Sequence, residues 1–257
     1  MQAQIEAPDR PPCYAEAAAA ASTGSTDDVI QPTILLLAGQ TIHAETASSA
    51  PLYHLDRGIA SLTGATSKVT LERVERTIRT SSDNEPSLRD RRRHVFTLEH
   101  SNAIYNKLPS NCPRFYARAS TKRALGHIGL KKARLRSGFR VLPVDVTGKG
   151  NSYGMPEFIK DAQPIFELHK REERWEWEDK NGNAVAVEDE GEDTHRLIVT
   201  APLLRETVDA LVALWCLRLW QYSADHAEQV HEGMDGIRRK LRQGKNAGVS
   251  GMGGWVI

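Results

Sequence analysis

Apolar residues crowd one segment of this 257-residue chain, Pro202–Tyr222, and their spacing predicts a helix. Leu204, Val208, Leu211, Val212, Trp215, Cys216 and Leu219 recur at three and four residues, the period of an α-helix. Leu203, Leu214, Leu217 and Trp220 fall on the other faces. A helix that is apolar nearly all round is enclosed on every side, by protein or by lipid. The uninterrupted apolar run, Ala210–Leu217, is far short of the roughly 20 residues that a bilayer span needs. Arg205, Glu206, Asp209 and Arg218 also stand against lipid. Enclosure by strands is the simplest account, with Arg205 and Asp209 expected to pair one turn apart at the helix mouth.

The strands lie upstream. From Thr33 onward, short apolar runs are broken by turn residues and predict strands at Ile34–Leu37, Thr41–Glu45, Leu52–Leu55, Val69–Arg79, His94–Glu99 and Phe115–Ala119. Further strands are expected at His127–Lys131, Phe139–Val144, Ile165–His169, Trp175–Glu178, Ala184–Glu188 and His195–Thr200. Leu71, Val74 and Ile78 also fit helical spacing, so the fourth of these is ambiguous. Many short strands with turn signals between them argue for a barrel or sandwich. The clearest hairpin turns at Asn181-Gly182, where a type I′ turn is expected, with Trp175 and Trp177 on one face and Glu176 and Glu178 toward water. Ser81–Arg93, Gly148–Gly154 and Asp189–Asp193 are expected to be polar loops.

Composition divides the chain into three parts. Residues 1–30, rich in Ala, Ser, Thr and Pro, predict a disordered tail. Residues 31–225 form the strand-rich body with its helix, and 226–257 continue as a polar helical extension and a Gly-rich tail. The net charge of +1 gives no global attraction to nucleic acid or membrane. Cys13, Cys112 and Cys216 are odd in number and widely spaced, which fits neither a disulfide framework nor a zinc site. No signal-peptide pattern opens the chain. A reducing setting is expected, cytoplasmic or nuclear, with no transmembrane segment and membrane association at most peripheral.

The stretches Pro51-Leu-Tyr-His-Leu-Asp-Arg, Val69-Thr-Leu-Glu-Arg-Val-Glu, Arg93-His-Val-Phe-Thr-Leu-Glu-His and Leu125-Gly-His-Ile carry a resemblance, as do Trp175–Glu188, Arg196-Leu-Ile-Val-Thr-Ala and Asp209–Trp220. Over residues 33–222 the chain resembles a fungal group of the tubby C-terminal-like superfamily, which includes the LURP-one-related proteins and the phospholipid scramblases. The resemblance implies a mainly β fold, a closed antiparallel barrel around one hydrophobic C-terminal helix. It brings no catalytic mechanism, because such folds are known mostly as binding and tethering modules, and function has to be argued from sites.

Pro11-Pro12-Cys13-Tyr14 matches the PPxY ligand of WW domains. A Pro-Pro pair is pre-set in polyproline II and docks between aromatic rings with little entropy lost, while the tyrosine adds a flat anchor. Pro11, Pro12 and Tyr14 are the expected WW-binding residues, and a HECT-type ubiquitin ligase is the usual kind of partner. Charge is also segregated. Between Glu99 and Asp145 there are ten basic and no acidic residues, whereas Glu157–Asp193 holds thirteen acidic against five basic. Arg114, Arg118, Lys122 and Arg123 are the candidate contacts to acidic phospholipid headgroups, set against mutual neutralisation of the two spans. Arg89-Asp-Arg-Arg-Arg93 and Arg238-Arg-Lys-Leu-Arg242 are taken as solvated charge runs, so no nucleic-acid partner is expected.

Catalytic patterns are missing from the sequence. There is no His-Glu-x-x-His, no Gly-x-Ser-x-Gly elbow and no phosphate loop in a strand-to-helix context. No catalytic residue, metal or cofactor is assigned. The expected function is a non-enzymatic adaptor whose tail recruits a WW-domain partner while the barrel binds a second one. An acidic-lipid module, or a small-molecule barrel acting in a biosynthetic pathway, are the alternatives.

Overall fold

The computed structural model describes residues 28–80, 86–101, 108–133, 138–150, 154–172, 174–191 and 194–247. The N-terminal motif and the Gly-rich end lie outside these residues, as does the tail that carries the motif.

The chain forms the expected β architecture. Its strands are β1 (Val29–Ile30), β2 (Thr33–Ala38), β3 (Thr41–Ala44), β4 (Pro51–Leu55), β5 (Lys68–Thr80) and β6 (Pro86–His100). They continue as β7 (Phe115–Ala119), β8 (Ile128–Lys132), β9 (Gly138–Asp145), β10 (Glu157–Phe158) and β11 (Phe166–Arg171). The last are β12 (Arg174–Asp179), β13 (Ala184–Glu190), β14 (His195–Val199) and β15 (Leu203–Leu204), followed by the helix α1 (Arg205–Ala247). Neighbouring strands run β9-β11-β12-β13-β14-β2-β3-β4-β5-β6-β7-β8, and a β8–β9 pairing closes this antiparallel ring into a 12-strand barrel. Each expected strand is a stave of it. Closure leaves the barrel no edge, and β10 merely adds to β9.

Alternation decides what points inward. Leu35, Ile42, Leu55, Val69, Leu71, Leu98, Leu168, Trp177 and Leu197 lie at or below 1% exposure. The first half of α1 fills the space they enclose, with every residue from Val208 to Trp220 buried. Trp215 is 1% exposed and Leu211 0%, so the interior is solid around the helix axis. Past Ala224 the helix leaves the barrel, and its residues 228–231 are exposed. A helix in a strand barrel satisfies its own backbone hydrogen bonds, so its whole circumference is free to be apolar. No helix among the described residues is long and apolar enough to cross a membrane.

Val69–Arg79 is a strand, as expected, and the helical spacing of Leu71, Val74 and Ile78 is not used. Two expectations change. Pro86–Arg93, expected as loop, is the first half of β6 and pairs with β5 in unbroken register from Arg73↔Arg93 to Thr80↔Pro86. The β12–β13 connection is not a type I′ turn. Gly182 N–H donates to Asp179 O and Asp179 N–H to Asn183 O, both at 2.9 Å. Gly182 takes φ +81° while Asn181 stays at negative φ. This is the three-residue hairpin loop with its left-handed position given to glycine.

Candidate functional site

Charged residues inside a barrel must be partnered, because an unpaired buried charge is costly. At the mouth where α1 enters, Asp209 is 5% exposed. Tyr53 Oη donates to its Oδ1 at 2.8 Å and Arg73 Nη1 to its Oδ2 at 2.6 Å. Tyr53 and Leu55 alternate inward on β4, and Leu71 and Arg73 do so on β5, which places both donors over the helix. Arg73 Nη2 also donates to Glu75 Oε1 at 2.6 Å, and Arg93 Nη1 reaches the same oxygen at 3.4 Å. Burial holds the Asp209 carboxyl above the usual carboxylate range, with Arg73 and Tyr53 pulling it back. Burial, with Asp209 beside it, pushes the Tyr53 hydroxyl well up. Glu75 lies below its ordinary value because Arg73 donates to it.

Arg205 does not form the expected pair with Asp209. Its guanidinium holds Asp28, and its N–H donates to the Asp28 carbonyl at 2.9 Å. Pairing of β1 with β15 brings Asp28 there, Val29 opposite Leu204. The carboxylates of Asp28 and Asp209 thus sit at the positive end of the helix dipole, where anions are favoured.

Together these groups line a cleft of about 810 Å³ at the barrel mouth. Five arginines face it, Arg73, Arg76, Arg93, Arg123 and Arg205, alongside Asp28, Glu75, Glu206 and Asp209. Its volume falls within the range of small-ligand pockets, but its lining is charged where theirs is mostly apolar. Arg73, Arg93 and Arg205 are tied to carboxylates of the cleft, and Arg76 to Asp90 at 3.4 Å. Arg123, exposed on the β7–β8 loop, has no ion pair among the described residues.

The four candidate headgroup contacts do not form one patch. Arg114 is bound to Asp225 and Glu228 at 2.6 and 2.8 Å, where α1 leaves the barrel. Some 20 residues of helix, about 30 Å, separate that point from the entry mouth. Arg118 is paired with buried Glu99 at 3.1 Å, and Tyr116 donates to the same carboxylate, its hydroxyl pushed up to about 12 by burial. Lys122 is exposed beside Arg123, and Arg123 alone lines the cleft. The basic and acidic spans meet on the wall, where Arg140 of β9 faces Glu167 of β11 in register at 3.2 Å. Pro11, Pro12 and Tyr14 lie outside the described residues.

Comparisons with models of known families, with curated proteins and with solved structures find no match to this chain. The cleft is therefore judged on its own geometry. The sequence reasoning missed Arg73, Tyr53 and Arg93. One signal pointed to them: an arginine two residues after Leu71 in a strand must face the same way, and the one carboxylate in the apolar run of the helix needed a cation.

Proposed function

We propose that this chain is a non-enzymatic interaction protein whose barrel takes an anionic group in the cleft at the helix entrance, while the Pro11-Pro12-x-Tyr14 tail recruits a WW-domain partner. Arg123 carries the reading: an arginine that no carboxylate among the described residues neutralises, facing a cleft beside a helix N-terminus. A guanidinium fork suits phosphate or carboxylate, and Arg93 keeps donors beyond the one it extends to Glu75. The solid interior favours binding at the mouth over a substrate held inside the barrel. A closed barrel around an apolar helix is also what the tubby-like resemblance implies, and a headgroup-bearing lipid and a free phosphorylated metabolite share the same chemistry.

Calorimetric titration with a soluble inositol phosphate, run beside sedimentation with vesicles carrying the same headgroup, tests the cleft. Binding that weakens about tenfold or more in Arg123→Gln and Arg93→Gln supports it. Vesicle binding without soluble binding assigns a lipid, and the reverse assigns a metabolite. Binding indifferent to both substitutions, or none to either probe, rejects the cleft.

A further inference from the structure

The hairpin β5–β6 is far longer than its neighbours need. On one side β4 pairs only with Leu71–Arg73, and on the other β7 pairs with Phe96–His100, while Ser120 N–H closes on Val95 O at 3.0 Å. Beyond those points, Val74–Thr80 and Pro86–Arg92 pair only with each other among the described residues. The result is a two-stranded arm reaching about 20 Å past the barrel wall, with open backbone edges.

Its two faces differ. Arg89, Arg91 and Arg93 alternate on one face of β6, opposite Thr77, Glu75 and Arg73. Leu88, on the other face, is 68% exposed, and its cross-strand partner Ile78 is 73% exposed. Arg89 and Arg91 are exposed, make no ion pair among the described residues and do not line the cleft. Over Val74–Thr80 and Pro86–Arg93 the sequence holds six arginines against Glu75 and Asp90.

We infer that the outer edge of β6 around Leu88–Arg93 is a docking edge for an acidic, extended polypeptide that adds as a strand. Strand addition supplies main-chain hydrogen bonds, and alternate side chains set specificity. A strand laid there places every second residue over Arg89 and Arg91, where carboxylates fit, and the residues between beside Leu88, where apolar side chains fit. Charge complementarity chooses the occupant. A second copy would bring arginine against arginine, so this edge is guarded against itself and open to a strand of opposite sign. A nucleic-acid or anionic-membrane partner is disfavoured, because the sequence joining the two strands reads Ser-Ser-Asp-Asn-Glu and adds two carboxylates, which phosphates repel.

Fluorescence anisotropy of the full chain with a short labelled peptide alternating Glu and Val is the test. Expected are saturable binding, a loss of about tenfold or more in the double variant Arg89→Glu/Arg91→Glu, and no change in Arg123→Gln. Methylating one alternate set of peptide nitrogens should abolish binding and methylating the other set should not, since only one set meets the edge. Tolerance of both methylated peptides, or indifference to the double variant, overturns the inference. So does tighter binding of a duplex oligonucleotide or phosphatidylserine vesicles through Arg89 and Arg91, or dimerisation that the double variant removes.

Discussion

Arg218 of the buried helix and Glu188 of β13 form an ion pair inside the barrel, 3% and 0% exposed at their side chains. Arg218 Nε donates to Glu188 Oε1 at 2.8 Å, Trp177 Nε1 donates to the same oxygen at 2.9 Å, and the guanidinium lies 5.4 Å from the centre of the Trp175 ring. The helix is thereby keyed to β12 and β13 in rotation as well as in depth, which apolar packing alone does not fix. Removing one member of a buried pair strands the other, at about 3–5 kcal/mol, whereas removing both charges is often nearly neutral. Arg218→Met should therefore lower the melting temperature sharply. The double variant Arg218→Met/Glu188→Gln, which keeps an acceptor for Trp177, should recover most of the loss in denaturant unfolding. Additive losses would mean that the pair is not coupled.

The staves and the filling helix were legible because most barrel strands have one wetter face and one buried face, so Leu35/Leu37 or Leu98/Phe96 leave a readable alternation. The first half of β6 was not, since both faces of the arm meet solvent and a run such as Arg89-Asp-Arg-Arg-Arg93 has no hydrophobic period. The two-residue strands β1, β10 and β15 are too short to carry one. At the site, Asp209 stood out within its apolar helix, but its partner did not. Arg205 was near in sequence, whereas Arg73 was near only once β5 closed over the helix entrance. Arg123 stood out as a candidate headgroup contact by its charge, but its place on the cleft follows only from the fold.

The cleft floor should separate structure from binding. Tyr53→Phe removes one donor from the buried Asp209 carboxylate and should cost about 1–3 kcal/mol, with anion binding retained. Arg73→Ala strands Asp209 and should cost about 3–5 kcal/mol. Thermal melts paired with calorimetric titration check both. A Tyr53→Phe variant that keeps its stability but loses the anion would move Tyr53 into the binding machinery.

The tail should be energetically independent of the barrel. Tyr14→Ala is expected to abolish binding of a full-length chain to a WW-domain array and to leave the melting temperature unchanged, because polyproline docking draws on the motif's own residues. A drop of several degrees would instead show that residues 11–14 pack on the folded body.

Acid should loosen the β7–β8 side of the barrel through His127. Its Nδ1 accepts the Ala119 N–H at 3.0 Å, so that nitrogen must be unprotonated for the bond to stand. Burial holds the imidazole below its ordinary value of 6.5, with the Arg118 charge adding to the effect. The sign follows directly. With the folded value depressed, the unfolded chain takes up the proton first, so the contribution is complete above the unfolded value and is lost as pH falls toward the folded one. Stability should therefore decline as pH falls through the ordinary imidazole value of 6.5 and below it, less steeply in His127→Asn than in the parent chain. In Arg118→Gln the imidazole should titrate closer to its ordinary value, which proton-detected NMR of the ring reads directly. An unchanged titration in Arg118→Gln would leave burial as the whole cause.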